Sequence, residues 1–269
     1  MTRDVGRARG VLRAQTGPCA FQHLRIAPCE ALSDVVDHFW FVRWDLDGHL
    51  PQTRETLPHP NVHLVIERGL TRIFGVHSTR FTRVLKDRGC ALGVKFRAGG
   101  FRPFLGRAVS TITDASLPLD DVFGHDADLL EEEVLAADDV HGMMAIAARF
   151  LAGRRPAADP RVSVVADMVA GIAADRSLLR VEALADRHGL SKRALQRMFN
   201  DYVGVSPKWV INRYRLHEAV ERLAGGTDVD WTDLALSLGY FDQAHFIRDF
   251  RTLVGRTPGE YVRGAAASA

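Results

Sequence analysis

Little in this chain points to chemistry at a reactive side chain. Cys19, Cys29 and Cys90 are the only cysteines in 269 residues, and no two of them form a CxxC pair. An odd, scattered set makes neither a disulfide framework nor a zinc cluster, and it fits reduced thiols in the cytoplasm, the expected compartment. No GxSxG, HExxH or phosphate-cradling glycine loop occurs, so the common hydrolase, zinc-protease and nucleotide-binding signatures are missing. No apolar run approaches the roughly 20 residues that span a bilayer, and no membrane partner is expected. Arg3, Arg7, Arg9 and Arg13 are not followed by the apolar stretch of a secretory leader and read as a loosely ordered tail. Charge of one sign is also lacking. The net value is only +2, so a nucleic-acid partner cannot be argued from the total.

What is present is ordinary globular composition, 46% hydrophobic and 25% charged, in a chain long enough for two modest domains. The charge is unevenly spread. Between Ser177 and Arg215 there are eight Lys or Arg against three acids, Glu182, Asp186 and Asp201. That local excess favours phosphate and salt-sensitive binding.

Within it lies Leu190-Ser191-Lys192-Arg193-Ala194-Leu195-Gln196-Arg197-Met198-Phe199. At helical spacing Leu195 and Phe199, with Met198 beside them, form a stripe to be buried, while Arg193, Gln196 and Arg197 recur on the other side. Ser191 suits the N-cap, because its hydroxyl can accept from an amide of the first turn. Upstream, Val181 to Arg187 reads as a short helix broken at Gly189. Helix, glycine turn and capped helix with long polar arms is helix-turn-helix grammar. Arginine and glutamine can bond in pairs to the major-groove edges of guanine and adenine. Alone, such a face is equally well the solvated side of a surface helix.

A second copy decides the matter. Shifted by fifty-one residues, Ser191 falls on Asp242, Leu195 on Phe246, Phe199 on Phe250, Gly204 on Gly255 and Pro207 on Pro258. Leu184-Ala185 and Gly189 match Leu234-Ala235 and Gly239 if the second turn holds one extra residue. Each unit closes on Gly-x-Ser/Thr-Pro, a glycine for a left-handed helix end and a proline for the next first turn. Between the units, 207–223 is free of glycine and proline after Pro207 and carries Ile211, Arg215, Ala219 and Leu223 on one stripe, which predicts a single connecting helix. Two readers so spaced can enter successive major-groove segments about 34 Å apart.

On these residues, together with Gly204-Val205-Ser206-Pro207, Tyr240, Gln243, His245-Phe246, Arg248 and Gly255-Arg256-Thr257-Pro258, the C-terminal third resembles the DNA-binding domain of the AraC/XylS family of bacterial transcription regulators. The resemblance implies promoter DNA as the partner. It implies base reading by exposed positions of both second helices: Lys192, Arg193, Gln196 and Arg197 in the first, and Gln243, Ala244, Ile247 and Arg248 in the second, with His245 close by; the cap Ser191 is counted among the DNA-contacting residues. Lys192, Lys208 and Arg213 are expected at backbone phosphates. Ala244 and Ile247 stand where the first unit has Arg193 and Gln196, so the first unit is expected to supply most of the discrimination. A small-molecule effector, a second copy of the chain and RNA polymerase are the further partners the resemblance implies, with activation as the output. No cofactor is expected. An alkylation-repair methyltransferase also carries this reader, but its zinc module needs four clustered cysteines, so an enzyme is not expected.

The first half alternates. Val35 to Trp44 reads as a strand, followed by strands over 61–67, 72–77, 81–86 and 90–97, with Pro51, Pro58 and Pro60 keeping the stretch between irregular or at an edge. Short strands in succession predict a small cupin-like barrel or sandwich. Gly99-Gly100 opens a short helix; such glycines can hold an anion at their amides but read first as a plain turn. Helices are expected over 126–136 and 138–152. The fold class is thus α+β up to residue 152, a Gly/Pro-rich linker at 153–160, and an all-α part from 161 to 269, its first helix capped by Asp159. In the latter, the first helix-turn-helix spans about 178–200 and the second about 230–251. His59 and His63, with His38, His49 and His77, are not spaced as a metal set, and satisfied or surface histidines are the default. Trp40, Trp44, Phe74, Phe96 and Phe101 are the candidate lining of a pocket for a small, largely apolar or aromatic effector, although aromatics in strands are more often core.

Overall fold

The computed structural model describes residues 21–127, 129–224 and 230–266. The arginine-rich start and Cys19 lie outside the described residues.

The first half forms β1 (Phe21–Ile26), β2 (Val36–Asp45), β3 (Gln52–Thr56), β4 (His63–Ile66), β5 (Arg72–Phe74), β6 (Phe81–Leu85), β7 (Arg88–Phe96), a short α1 (Arg102–Leu105) and β8 (Ser116–Leu117). Six strands make one sheet in the order β1-β2-β7-β4-β5-β8, and β3 pairs with β6 in a second. Every pairing is antiparallel. β1, β3 and β8 were not legible as strands. β3 sits between Pro51 and Pro58, where an edge position fits because proline cannot donate to a ladder.

Strand alternation gives the large sheet two unlike faces. Phe39, Phe41, Leu64, Leu92, Val94 and Phe96 point to one side and are buried. Register places His38, Trp40, Val42 and Trp44 on the other, opposite Lys95, Gly93, Ala91 and Gly89. The two-stranded sheet covers this second face: Leu85 packs with Trp44, Arg54 lies 4.5 Å from the Phe21 ring centre, and Arg83 pairs with Glu67 at 2.5 Å. The indoles of Trp40 and Trp44 occupy the space left by Gly93 and Gly89, where a Cβ would come within 1.9 and 2.3 Å of them.

The apolar face is closed by helices: α2 (Asp120–Phe123), α3 (Leu129–Leu135) and α4 (Val140–Gly153). A run of ring contacts from Phe96 and Phe101 through Phe104 and Phe123 to Phe150 joins sheet to helices, with centroids 4.8–6.0 Å apart. α3 buries Leu130 and Val134 and leaves Leu129 exposed.

The second half begins with α5 (Pro160–Ala174), where Asp159 accepts from the Arg161 amide as cap. There follow α6 (Val181–Arg187), α7 (Lys192–Tyr202), α8 (Pro207–Ala224), α9 (Trp231–Ser237), α10 (Gln243–Val254) and α11 (Pro258–Ala266). The core of the first half runs without a break through α5, α6, α7 and the start of α8. A separate core joins the end of α8 to α9, α10 and α11, and also takes in Leu57 from the turn after β3.

Candidate nucleic-acid interface

α6 and α7 meet through a tight turn. Gly189 has φ +62°, and the Leu190 amide bonds back to the Ala185 carbonyl at 2.9 Å. Ser191 then caps α7, its hydroxyl accepting from the Ala194 amide at 3.2 Å. The same parts recur between α9 and α10: Gly239 at φ +75°, the Tyr240 amide on the Ala235 carbonyl at 3.0 Å, and Asp242 accepting from the His245 amide at 2.7 Å. Leu195, Phe199, Phe246 and Phe250 are buried equivalents. The units differ by one residue between glycine turn and cap. That residue is Phe241, which is 89% exposed, and nothing in the sequence marked it out except the misfit of the repeat.

Burial of one stripe forces the opposite stripe outward. Ser191, Lys192, Arg193, Gln196, Arg197 and Lys208 are all exposed. Among the described residues no hydrogen bond or ion pair holds the side chains of Arg193, Gln196 or Arg197, so these arms are free to reach. Lys192 bonds Glu182 at 2.5 Å, and that bond holds the Glu182 carboxyl below its usual range. In the second unit Ala244 and Arg248 are exposed, while Gln243, His245 and Ile247 are half-buried. His245 lies 3.6 Å from Asp249 and 5.2 Å in ring centroid from Tyr240. A shallow depression is lined by Ala244, Ile247, Arg248 and Arg251 with Thr252 and Thr257. The first reading face is cationic and long-armed; the second is flatter and more apolar.

The first unit is braced from behind. Asp175, just past α5, accepts from the Ser177 hydroxyl at 2.6 Å and from Arg187 at 2.6 Å. These bonds, that of Ser177 first, hold its carboxyl down at about 2. The far end of α7 is tied to the first half, where Arg102 bonds Asp201 at 2.7 Å and the Thr113 hydroxyl donates to the Gly204 carbonyl at 2.7 Å, and to the cap of α5, where the Tyr202 hydroxyl donates to Asp159 at 2.5 Å. Trp209 on α8 donates its indole N–H to the Ser78 carbonyl at 3.1 Å. On the second unit, Arg256 lies 3.6 Å from Glu55 of β3.

Two expectations need correction. Arg213 cannot serve a backbone phosphate in this arrangement, because its side chain is 1% exposed and its Nε donates to the Pro58 carbonyl. It shares α8 with the exposed Lys208, but faces the opposite way, into the turn after β3. The five aromatics proposed as a pocket lining do not line one cavity. Phe96 and Phe101 belong to the seam between sheet and helices. Trp44 packs with Leu46 and Leu85 and donates to the Lys86 carbonyl at 3.0 Å. Trp40 donates to His63 Nδ1 at 3.2 Å, and Phe74 lies beside His77. Register sets Trp40 opposite Gly93, so Phe96, three residues further along β7, points to the other face of the sheet and cannot share a wall with Trp40. Among the described residues no three His, Cys, Asp or Glu side chains converge as a metal set, and no helix is long and apolar enough to cross a membrane.

Residues 184–264 match the family described as a helix-turn-helix domain, and residues 24–118 match a domain of unknown function, DUF6597. The HTH-type transcriptional activator RhaS of Escherichia fergusonii is 39% identical over 87 residues, 32% of this chain and 31% of RhaS. The chain thus matches about a third of the length of that relative. The probable transcription factor PqrA of Proteus vulgaris is 32% identical over 83 residues, covering 31% of this chain and 67% of PqrA. A solved structure of a probable AraC family transcriptional regulator from Rhodopseudomonas palustris is 32% identical, covers 36% of this chain and 93% of that one, and superposes with a TM-score of 0.33.

Proposed function

This chain belongs to the AraC/XylS family of transcription regulators, and we propose that it binds double-stranded promoter DNA through both helix-turn-helix units and activates transcription there. The observation that carries this reading is the pair of capped helices, α7 and α10, each with a buried aromatic stripe and an outward reading face. Arg193, Gln196 and Arg197 take base edges, and Ser191, Lys192 and Lys208 take phosphates. Gln243, His245 and Arg248 contact DNA from the second unit, and Ala244 and Ile247 lie against thymine methyls. The part up to residue 152 modulates this binding through a small-molecule effector or through pairing with a second copy. RNA polymerase is the downstream partner, and the cytoplasm is the place of action.

The test is a footprint of the full chain on genomic fragments, followed by salt titration on the protected site. Protection across two successive major-groove segments on one face, weakening as salt rises, is expected. Protection of equal strength on unrelated DNA would overturn the sequence-specific reading.

A further inference from the structure

The two glycine turns are alike in backbone but differ in what surrounds them. A Cβ built on Gly189 of the first unit would meet nothing within 4 Å, whereas one on Gly239 of the second would stand 2.7 Å from Leu179 Cδ1 and 3.2 Å from its Cγ. Leu179 belongs to the other unit, since it lies between α5 and α6 on the segment leading into the first reader. It packs on the bare backbone of the second reader's turn, where a side chain would push it away. Its neighbour Leu178 is buried in the large core with α5, α6 and α7. Consecutive leucines thus hold one unit each. Arg215 of α8 donates to the Leu179 carbonyl and fixes the backbone from which that side chain reaches.

A polar chain runs beside this contact. Arg176, on the same segment, lies 3.3 Å from Glu218 of α8. Glu218 also accepts from Arg222 one turn on, and Arg222 donates to the Ser237 hydroxyl at the end of α9 at 2.9 Å. Ion pairs open to water add little, so the close apolar contact at Gly239 is the one that decides. The cores of the two units are separate, one on the start of α8 and the other on its end. A helix joining two such bodies bends, and a contact alongside it removes that freedom. We propose that Leu179, held by Arg215, is a positioning residue that locks the two readers at one separation and angle, so that the protein recognises the spacing of its two half-sites as well as their sequences. One added base pair moves the second half-site by about 3.4 Å and turns it by about 35° around the duplex. A locked pair cannot follow that displacement, and a loosened pair can. The spacing rule rests on the DNA reading above, whereas the lock exists in the free protein.

The lock is tested first, without DNA. Spin labels at Arg197→Cys and Arg248→Cys, in the full chain with Cys19, Cys29 and Cys90 changed to serine, read the distance between α7 and α10. One narrow distribution is expected with Leu179 and with Leu179→Met, and a broader one with Leu179→Ala. Equal widths overturn the lock. Amide exchange over 231–261 checks that the second unit stays folded; should Leu179→Ala unfold it, Leu179→Val, which lacks the Cδ1 atom, takes its place. Chains with all native cysteines and reading side chains are then measured on the footprinted site and on versions with one base pair added or removed between the half-sites. Wild type and Leu179→Met should bind the altered sites about a hundredfold more weakly, because one reader is left unseated, while Leu179→Ala loses less than about tenfold. Equal penalties in wild type and Leu179→Ala overturn the spacing rule. Absence of any sequence-specific footprint, with the change from narrow to broad intact, would count against the DNA reading and leave the lock standing.

Discussion

Replacing Phe246 by alanine asks whether the two readers are separate cooperative units. Phe246 is fully buried, with rings of Tyr240 at 5.4 Å and Phe250 at 5.7 Å on either side. Truncating a buried phenylalanine costs about 3–5 kcal/mol through lost transfer energy and the cavity left behind. Each aromatic contact contributes about 0.5–1.5 kcal/mol of such a loss, so the two contacts place this site toward the upper part of that range. The core that must absorb the loss is the smaller one, confined to α9, α10, α11, the end of α8 and Leu57. A whole domain is stable by only about 5–15 kcal/mol, and a fraction of one holds less. Phe246→Ala should therefore open the second unit while α5 to α7, which share the large core of the first half, stay folded. Amide exchange read by mass spectrometry is the assay. Protection should collapse over 231–261 and persist over 160–202, and the DNA footprint should shrink to one major-groove segment. Equal loss of protection from α5 to α11 would refute the reasoning, since it would make the two cores one unit.

Other outcomes are equally specific. Arg193→Ala should weaken binding by about 1–3 kcal/mol at particular base pairs and relax specificity there; binding selections on randomised sites would refute the ranking if Arg248→Ala relaxed specificity more. Stability should fall on acidification from pH 6.5 toward 3, because the buried His63 refuses a proton that the unfolded chain accepts near its ordinary value. Denaturant titrations of His63→Gln should show a flatter slope in that window, and an unchanged slope would rule His63 out. Gly204→Ala places a side chain at φ +91° with its Cβ 2.9 Å from Thr113 Oγ1, which should cost about 1–3 kcal/mol. A midpoint matching the wild type would show that the α7–α8 corner relaxes freely.

The glycine turns, the caps Ser191, Asp242 and Asp159, and the stripe of Leu195 and Phe199 were readable from the chain because each signal is complete within a few residues. A positive φ, an N-cap bond or a 3.6-residue stripe needs no distant partner, and duplication supplied an internal control. Only the tertiary structure decided matters of long range. Arg213 looks like any basic residue on a DNA-binding helix until Pro58, 155 positions earlier in the chain, is seen to take its Nε. The register of β2 against β7 separated Trp40 from Phe96, and no local pattern foretold that β3 would be folded over the second face. The C-terminal readers were thus specified by neighbours along the chain. The charged interior of the first half arose from strands brought together across it, where burial depends on contacts no short window contains.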